Sequence, residues 1–503
     1  MFYLFRPIIK FFGFFSLAGF LLFFVFLVPV FADESKTIER LIELTEPRGH
    51  AAQEKEARLN AGEKAYLQFC VHCHGGQGQG DGKASGYLRP LPRDLSLGIF
   101  KFRSTPSNAI PRDEDLYQTI KKGVPGTAMP AWGEVLTEET LASLVEYIKN
   151  FSSRFEIETP DFKMPVGLEP PYENRSIEKG RILYKELRCG RCHGESGERS
   201  GRLENKLTDA WGNPSVVYDL KQPWLYKAGS SSEEICHTLV TGMDGTPMSA
   251  YDYVPAGDLW HLVHFLKSQQ SGEKIPSAQM SQKLISHPTS KKFNLSPEDS
   301  VWNEVESVPV KLRSLQSAIE RPSIVHAQSL HNSKQIAFRL KWKDESPETA
   351  QSGGGFYMDA AALQFSSMAN FDSIYYGMGE NQKSVNIWHW KADSFQEGHG
   401  QINSGKKVSV NPFSEKSVEE MNASGFGTLT VQSLEDQQLV GEGAWKDGWW
   451  TVVFLRNLKT ESPFDIQFLK PRNILIAFAL WNGKQKEKNA NKKVSFWQQL
   501  VIP

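Results

Sequence analysis

The chain has 503 residues, of which 40% are hydrophobic, and its 57 basic side chains nearly balance its 58 acidic ones. A chain of this length favours about two to four domains over a single one. The balanced charge gives no indication of a nucleic-acid partner. Only five cysteines are present, so their positions carry most of the information about redox chemistry.

The N-terminal segment, 1–32, predicts export from the cytoplasm. Arg6 and Lys10 precede an apolar run that ends in Val30-Phe31-Ala32 before Asp33. A basic start, an apolar centre and a small residue at the end are typical of a signal peptide. The run is also long enough to span a bilayer, so a retained membrane anchor is the alternative. Both alternatives place the remainder in the periplasm or on the outer face of the cytoplasmic membrane.

The rest of the chain divides into segments that differ in composition. Alternating runs such as Gln335–Trp342, Trp450–Leu455 and Ile474–Trp481 predict strands in the last segment. We therefore expect a multidomain protein in which two all-α domains precede an all-β sandwich. The predicted segments are a charged helical tether (33–59), a first unit (60–152), a Pro-rich linker (153–174), a second unit (175–270), a polar linker (271–300) and a β domain (301–503).

The two units are copies of one fold. His74 precedes Met129 by 55 positions, and His193 precedes Met248 by the same 55 positions. Each methionine lies in a Gly-Thr-x-Met segment, which follows one helical stretch and precedes another. Equal spacing of two different residue types predicts two equivalent sites.

Four of the five cysteines lie in two Cys-x-x-Cys-His motifs, Cys70–His74 and Cys189–His193. A zinc site would need a second pair of ligands at short spacing, and a redox dithiol would lie in a βαβ setting. The sequence provides neither. Covalent haem explains every position, because two thiols one helical turn apart can bond to the vinyl groups while the histidine ligates the iron.

Each methionine of the repeat is expected to be the second axial ligand of its iron, since small neighbours allow the backbone to approach the haem. A thioether ligand raises the reduction potential. Two local disulfides are the alternative, but they would leave the repeated His and Met unexplained. The predicted attachment residues are Cys70, Cys73, Cys189 and Cys192, and the predicted iron ligands are His74, Met129, His193 and Met248.

Three further residues near these motifs are interpreted as structural. Met243 aligns with Val124 in the repeat and is expected to pack rather than to bind iron. Cys236 aligns with Tyr117 and is expected to be a buried thiol. His72, inside the first motif, is expected to face solvent.

In the order of helix, Cys-x-x-Cys-His motif, methionine loop and final helix, both units resemble class I c-type cytochromes. The resemblance covers nearly all of 60–152 and 175–270. It implies two covalently bound haems c and a role in electron transfer.

The β-rich region contains an unusual block made of Phe356–Phe365, Tyr376–Gly379 and Val385–Asp393. Strand alternation puts His389 and Lys391 on one face of the last run. The residues alone leave two interpretations open, a haem held without covalent bonds and a methionine that only packs in a glycine turn.

The block contains Asp-Ala-x-Ala-x-Gln-Phe, Met-Gly and Asn-Ile-Trp-x-Trp-Lys-Ala-Asp, and roughly from residue 300 to 503 it resembles the haem-b domain of the ethylbenzene dehydrogenase type. That domain is the γ subunit of molybdenum enzymes in the dimethyl-sulfoxide-reductase family. The resemblance implies one haem b with Met378 and Lys391 as iron ligands. The lysine would have to be neutral, which burial favours. His389 is the alternative ligand.

The resemblance also implies partners, namely a molybdopterin-containing catalytic subunit, an iron–sulfur subunit and a soluble or membrane carrier such as cytochrome c. The chain itself would transfer electrons and make no bonds. A subunit of nitrite oxidoreductase is the specific expectation. The alternative is a dihaem c-type peroxidase-like enzyme with an accessory β-sandwich module that binds carbohydrate or a partner. Two intact methionine loops disfavour it, because six-coordinate haems leave no open site for peroxide.

Overall fold

The computed structural model describes residues 53–272, 278–317, 323–349, 357–368, 370–371, 373–392, 417–469 and 472–503. The predicted signal peptide or anchor, 1–32, lies outside the described residues, as do residues 33–52 of the predicted tether, Phe356 and Asp393. Among the helices that the structure describes, none is both long and apolar enough to cross a membrane. The chain from Ala57 to Pro503 forms one compact unit, and in the unit before it, Met1–Glu56, the described residues are helical.

The first α-helical domain begins before the predicted boundary at residue 60, because its first helix already includes residues 53–59. The Thr137 hydroxyl accepts a hydrogen bond from the Thr140 amide, which caps the start of the fourth helix as the sequence predicts. The helices are α1 (53–69), α2 (Val71–His74), α3 (Asp113–Lys122), α4 (Glu138–Lys149) and α5 (Arg154–Ile157).

The second α-helical domain contains α6 (Asn174–Glu186), α7 (Gly190–His193), α8 (Ser232–Thr241) and α9 (Ala256–Gln269). Both domains depend on a close crossing between their first and last long helices. A Cβ at Gly62 would lie 2.1 Å from the Ser143 carbonyl oxygen, and a Cβ at Gly180 would lie 1.9 Å from that of His261. Only glycine permits this backbone approach.

A tyrosine on the first helix of each domain supports the Cys-x-x-Cys-His segment. The Tyr66 hydroxyl donates to the Gly75 carbonyl oxygen at 2.7 Å, and the Tyr184 hydroxyl donates to the Gly194 carbonyl oxygen at 2.8 Å. The repeat seen in the motif spacing therefore extends to the helices that hold the motifs.

The β domain contains two sheets. The described strands are β1 (Lys283–Pro288), β2 (Val308–Ser314), β3 (Ser323–His331), β4 (Gln335–Lys343), β5 (Ala360–Ser366), β6 (Val385–Lys391), β7 (Val418–Ala423), β8 (Thr430–Val431), β9 (Val440–Lys446), β10 (Trp449–Asn457), β11 (Arg472–Trp481), β12 (Lys493–Val494) and β13 (Gln498–Ile502). One sheet follows the order β8-β7-β6-β5-β11, with β13 also pairing with β11, and the other follows β2-β3-β4-β10-β9. Strand β12 pairs with both β11 and β2 and so joins the sheets.

Aromatic side chains fill the space between the two sheets. The Phe338 ring of β4 lies 5.5 Å from Phe365 of β5 and 5.7 Å from Trp388 of β6. Trp342 of β4 lies 6.3 Å from Trp390 of β6. Trp388 and Trp390 share one face of β6, as the alternation predicts. The predicted sandwich after two α-helical domains is confirmed.

The outer face of the β5–β6–β7–β11 sheet packs against the first α-helical domain. One continuous apolar cluster contains Ile387 and Met421 from the sheet together with Leu144 and Trp132 from the helical domain. The Trp132 ring also meets Phe496, edge to face, at 5.9 Å. The first helical domain and the β domain therefore share a core.

Candidate haem sites

The first Cys-x-x-Cys-His motif forms helix α2 and the residue before it. The Nδ1 atom of His74 lies 3.0 Å from the Arg93 carbonyl oxygen. A hydrogen bond donated by Nδ1 leaves the lone pair on Nε2, the atom that can ligate a metal. Burial lowers the pKa of His74, which favours the neutral imidazole that ligation requires.

The second motif repeats this arrangement. The Nδ1 atom of His193 lies 3.3 Å from the Tyr218 carbonyl oxygen, and burial lowers the pKa of this histidine as well. All five cysteines have free thiols, so neither motif forms the local disulfide that was the alternative. Cys236 is fully buried in α8, in agreement with its predicted structural role.

The two methionine loops have the same hydrogen bonds. The Thr127 hydroxyl donates to the Val124 carbonyl oxygen at 2.8 Å and accepts from the Met129 amide at 3.2 Å. The Thr246 hydroxyl does the same with the Met243 carbonyl oxygen, at 2.7 Å, and the Met248 amide, at 3.2 Å. The Gly-Thr-x-Met pattern is therefore a turn motif that sets the position of the methionine.

A cavity of about 1030 Å³ connects the two motifs. Its size is at the upper end of the range for ligand sites in proteins. The walls of this one cavity therefore contain all eight residues that the sequence predicts for the two c-type sites. These lining residues are Cys70, Cys73, His74 and Met129 from the first domain and Cys189, Cys192, His193 and Met248 from the second.

Arg93, Lys101 and Lys227 are among the basic side chains that line the same cavity. Burial, together with a smaller effect of neighbouring positive charges, lowers the pKa of Lys101 to about 8 and that of Lys227 to about 7. Asp209 offsets part of this charge. Buried cations at such a density favour an anionic ligand. The propionates of covalently bound haem would supply this charge, so the residues present fit the cofactor.

The candidate haem-b site is built on the loop between β5 and β6. Met378 has a φ of 63°, a left-handed conformation that is strained for a non-glycine residue. Gln364 of β5 holds the loop, because its Nε2 donates to the Tyr376 carbonyl oxygen at 2.9 Å and its Oε1 accepts from the Met378 amide at 3.2 Å. This glutamine belongs to the sequence block that carries the resemblance, and its role is to position the methionine.

Lys492 faces the Met378 side chain, although no pattern in the sequence indicates this lysine as a ligand. Its Nζ lies 3.9 Å from the Met378 Sδ, and burial lowers its pKa to about 8. Lys391 instead forms an ion pair with the Glu419 carboxylate. The Nδ1 of His389 lies 3.2 Å from the same carboxylate. Lys391 and His389, the two ligands expected beside Met378, therefore contact Glu419, whereas Lys492 contacts the Met378 sulfur.

The amine of Lys492 and the thioether of Met378 face each other at this site. If haem b binds here, Met378 and Lys492 would be the residues that hold its iron. A lowered pKa also makes the neutral amine available to a metal.

Comparisons with known families cover all three domains. Residues 57–148 match the family model of the cbb3-type cytochrome c oxidase subunit III, and residues 177–270 match that of cytochrome c. Residues 299–493 match the family model of ethylbenzene dehydrogenase.

Three known proteins illustrate these similarities. A Haloferax mediterranei protein named as a respiratory nitrate reductase heme subunit is 29% identical over 206 residues, which cover 40% of this chain and 66% of that protein. The chlorate reductase γ subunit of Ideonella dechloratans is 28% identical over 214 residues, which cover 41% of this chain and 78% of that subunit. A solved chain from a reducing HAO-like protein complex of Kuenenia stuttgartiensis is 37% identical, with a TM-score of 0.41, and the match covers 42% of this chain and 96% of that one.

Proposed function

Because this chain contains two cytochrome c domains followed by an ethylbenzene dehydrogenase domain, we propose that it is the electron-transferring haem subunit of an exported molybdenum oxidoreductase. Its similarity to a nitrate reductase heme subunit and a chlorate reductase γ subunit supports this function over the dihaem peroxidase. The subunit would hold two haems c and one haem b.

The continuity of the three candidate sites carries this proposal. Tyr376, two residues before Met378, lines the cavity that connects the two Cys-x-x-Cys-His motifs. Cys70, Met129 and Met378 also belong to one apolar cluster. Bound haems supply one-electron chemistry. The arrangement supports an order in which electrons pass between the haem-b site, the first c-type site and the second c-type site.

The residues of the chain would position the cofactors and exclude water from them. His74 and Met129 would occupy the two axial positions of the first c-type iron, and His193 and Met248 those of the second. With both positions filled, neither site would offer an open coordination position for a substrate. The chain would then have no catalytic residue of its own.

The partners follow from this order. An iron–sulfur subunit would exchange electrons at the haem-b site, and a molybdopterin-containing subunit would transform the substrate. A soluble or membrane carrier such as a cytochrome c would dock at the second c-type site. Export would depend on segment 1–32, either as a cleaved signal peptide or as a retained anchor. Nitrite oxidoreductase as the parent enzyme stays a prediction.

Acid–acetone extracts haem that is bound without covalent bonds and leaves covalently attached haem on the protein. The ratio of extracted to attached haem therefore tests the haem-b ligands. Met378→Ala and Lys492→Ala should each lose most of the extractable haem, because each removes one iron ligand, while covalent haem stays at two per chain. Lys391→Ala is the matched control and should retain the extractable haem, since Lys391 pairs with Glu419.

The protein should be produced together with a cytochrome-maturation system, and haem should be quantified from pyridine haemochrome spectra. A wild-type protein without extractable haem would contradict the haem-b site as a whole. Loss in Lys391→Ala with retention in Lys492→Ala would restore the ligand pair that the resemblance implies.

A further inference from the structure

Two consecutive tyrosines of the loop between β5 and β6, hereafter the haem-b loop, lie beside the first Cys-x-x-Cys-His motif. The Tyr375 side chain, which is 5% exposed, stacks on the His72 ring at 4.0 Å between centroids and 22° between planes. Its hydroxyl lies 3.7 Å from the Cys73 Sγ, although the two residues are 302 positions apart in the chain. Tyr376 follows with its ring 4.7 Å from that of Tyr375.

The sequence predicts that His72 faces solvent, but its ring packs on Tyr375 and the residue is only partly exposed. His72 and Cys73 therefore present one continuous surface of the first motif to the haem-b loop.

We propose that Tyr375 is a positioning residue for electron transfer, and that it provides the contact through which an electron passes between the haem-b site and the first c-type site. This inference rests on the proposed function. In the step, one iron changes from ferrous to ferric and the other from ferric to ferrous, and no atom or proton is transferred. The tyrosine is unchanged at the end of the step.

The route is short because it is mostly covalent. Three peptide bonds connect Tyr375 to Met378, the proposed iron ligand of haem b. One contact, from the Tyr375 hydroxyl to the Cys73 Sγ, connects the same segment to an atom that would carry a thioether bond to haem c. Once Cys73 forms a thioether its sulfur has no hydrogen, so the tyrosine hydroxyl becomes the donor in this contact.

Neighbouring side chains pack closely around the segment that contains Tyr375. The Tyr375 amide donates to the Glu380 carboxylate. A Cβ at Gly377 would lie 2.7 Å from the Tyr375 ring and 3.1 Å from the Phe426 ring. Phe426 in turn stacks on Tyr87 of the first helical domain at 5.6 Å.

Other contacts keep the two domains together when Tyr375 is changed. The Arg89 amide donates to the Leu315 carbonyl oxygen at 2.8 Å, and the Gln316 side chain donates to the Tyr87 carbonyl oxygen at 3.1 Å. The apolar cluster shared by the domains adds to them. A substitution at Tyr375 should therefore change the local contact and leave the domain arrangement intact.

The experiment compares Tyr375→Leu, Tyr375→Phe and Tyr87→Leu in the full chain loaded with its haems. The rate at which haem b and the c-type haems equilibrate after rapid reduction should fall roughly tenfold in Tyr375→Leu, because coupling is weaker across a gap than across packed atoms. Tyr375→Phe, which keeps the ring and loses the hydroxyl, should show a smaller decrease. Tyr87→Leu removes an aromatic contact at the same interface and should leave the rate unchanged.

Three readouts separate this role from a structural one. Haem content, the midpoint potentials and the amide hydrogen exchange of segment 373–380 should match the wild type in Tyr375→Phe. An unchanged rate in Tyr375→Leu with full haem content would overturn the proposal. If Tyr375→Leu loses haem b, the rate in Tyr375→Phe decides, and a wild-type rate there overturns it. A wild-type protein without haem b would instead contradict the proposed function, because the kinetic phase would then be missing before any substitution.

Discussion

At the scale of single residues, Lys227 is a basic side chain that lines the cavity connecting the two candidate c-type sites. Its Nζ lies 4.3 Å from the centre of the Tyr218 ring and donates to the Pro125 carbonyl oxygen in the methionine loop of the first domain. A nearby cation disfavours ferric iron, which carries one more positive charge than ferrous iron. Because the pKa of Lys227 is about 7, the amine carries its charge below pH 7, and there Lys227→Met should lower the mean midpoint potential of the c-type haems by about 40 mV, or roughly 1 kcal/mol.

A redox titration followed at the c-haem absorption band measures this shift. Lys163→Met is the control, because the Lys163 side chain is 51% exposed and pairs with Glu233 at the surface. Screening by solvent should keep its effect below about 10 mV. Equal shifts in the two variants would show that Lys227 has no special position at the cavity.

Short, repeated spacings in the sequence predict the attachment residues and axial ligands of the two c-type sites, and the structure places all eight residues around one cavity. The haem-b ligands could not be chosen in the same way. Met378 and Lys492 are 114 positions apart in the chain. The pairing of β12 with β11 and β2 brings Lys492, the residue before β12, to the loop that contains Met378. Lys391, by contrast, is the lysine that the resemblance to the ethylbenzene-dehydrogenase-type domain implies.

At the scale of elements, the largest difference from expectation concerns segment 271–300, which the sequence indicates as a polar linker. Strand β1 lies within it and pairs in parallel with β13 and β3. Its residues Leu284 and Ser286 point inward and its other side chains are exposed or partly exposed, so the apolar signal is too short to stand out among Ser and Lys. The pairing depends on strands that follow much later in the chain, and local sequence does not contain this information.

The crossing of α6 and α9 leaves no room for a side chain larger than that of glycine at Gly180. A Cβ at Gly180 would overlap the His261 carbonyl oxygen at 1.9 Å, so Gly180→Ala must separate the two helices. We expect the second cytochrome domain to lose about 1 to 3 kcal/mol of unfolding free energy. Denaturant unfolding monitored by the circular dichroism of the c-type haem bands measures the loss.

Gly257→Ala is the matched control for this prediction. Gly257 lies in α9 with no atom within 4 Å of a Cβ placed on it. An alanine there should stabilise the helix by about 0.5 to 1 kcal/mol, since it restricts the unfolded chain and has the higher helix propensity. A destabilised Gly257→Ala would indicate that the effect at Gly180 is not specific to the helix crossing.

At the scale of the whole molecule, the three domains are held so that their candidate sites are neighbours. The predicted linker 153–174 packs on the first domain, where the Met164 amide donates to the Ser104 carbonyl oxygen at 2.7 Å. Arg93 of the first domain stacks on Trp211 of the second at 4.5 Å. The sequence predicts each domain separately, but these contacts between domains arise from single side chains without periodic patterns. They hold the three domains in the arrangement that the proposed electron path requires.

The interface between the two cytochrome domains contains a buried and an exposed ion pair, which predicts how the domains respond to substitution. Arg103 binds Asp244 at 2.9 Å with side chains that are 0% and 10% exposed, and it also donates to the Thr241 carbonyl oxygen at 2.8 Å. Arg103→Gln would leave the Asp244 charge buried without its cation, at a cost of about 3 kcal/mol.

Lys122→Ala is the matched control. It removes an ion pair with Glu234 across the same interface, but these side chains are 57% and 29% exposed, so the change should stay below about 1 kcal/mol. Guanidinium unfolding of both variants, with protease cleavage of the linker as a second measurement, tests this ranking. If Lys122→Ala were as damaging as Arg103→Gln, burial would not be what makes the Arg103 pair important for holding the two cytochrome domains together.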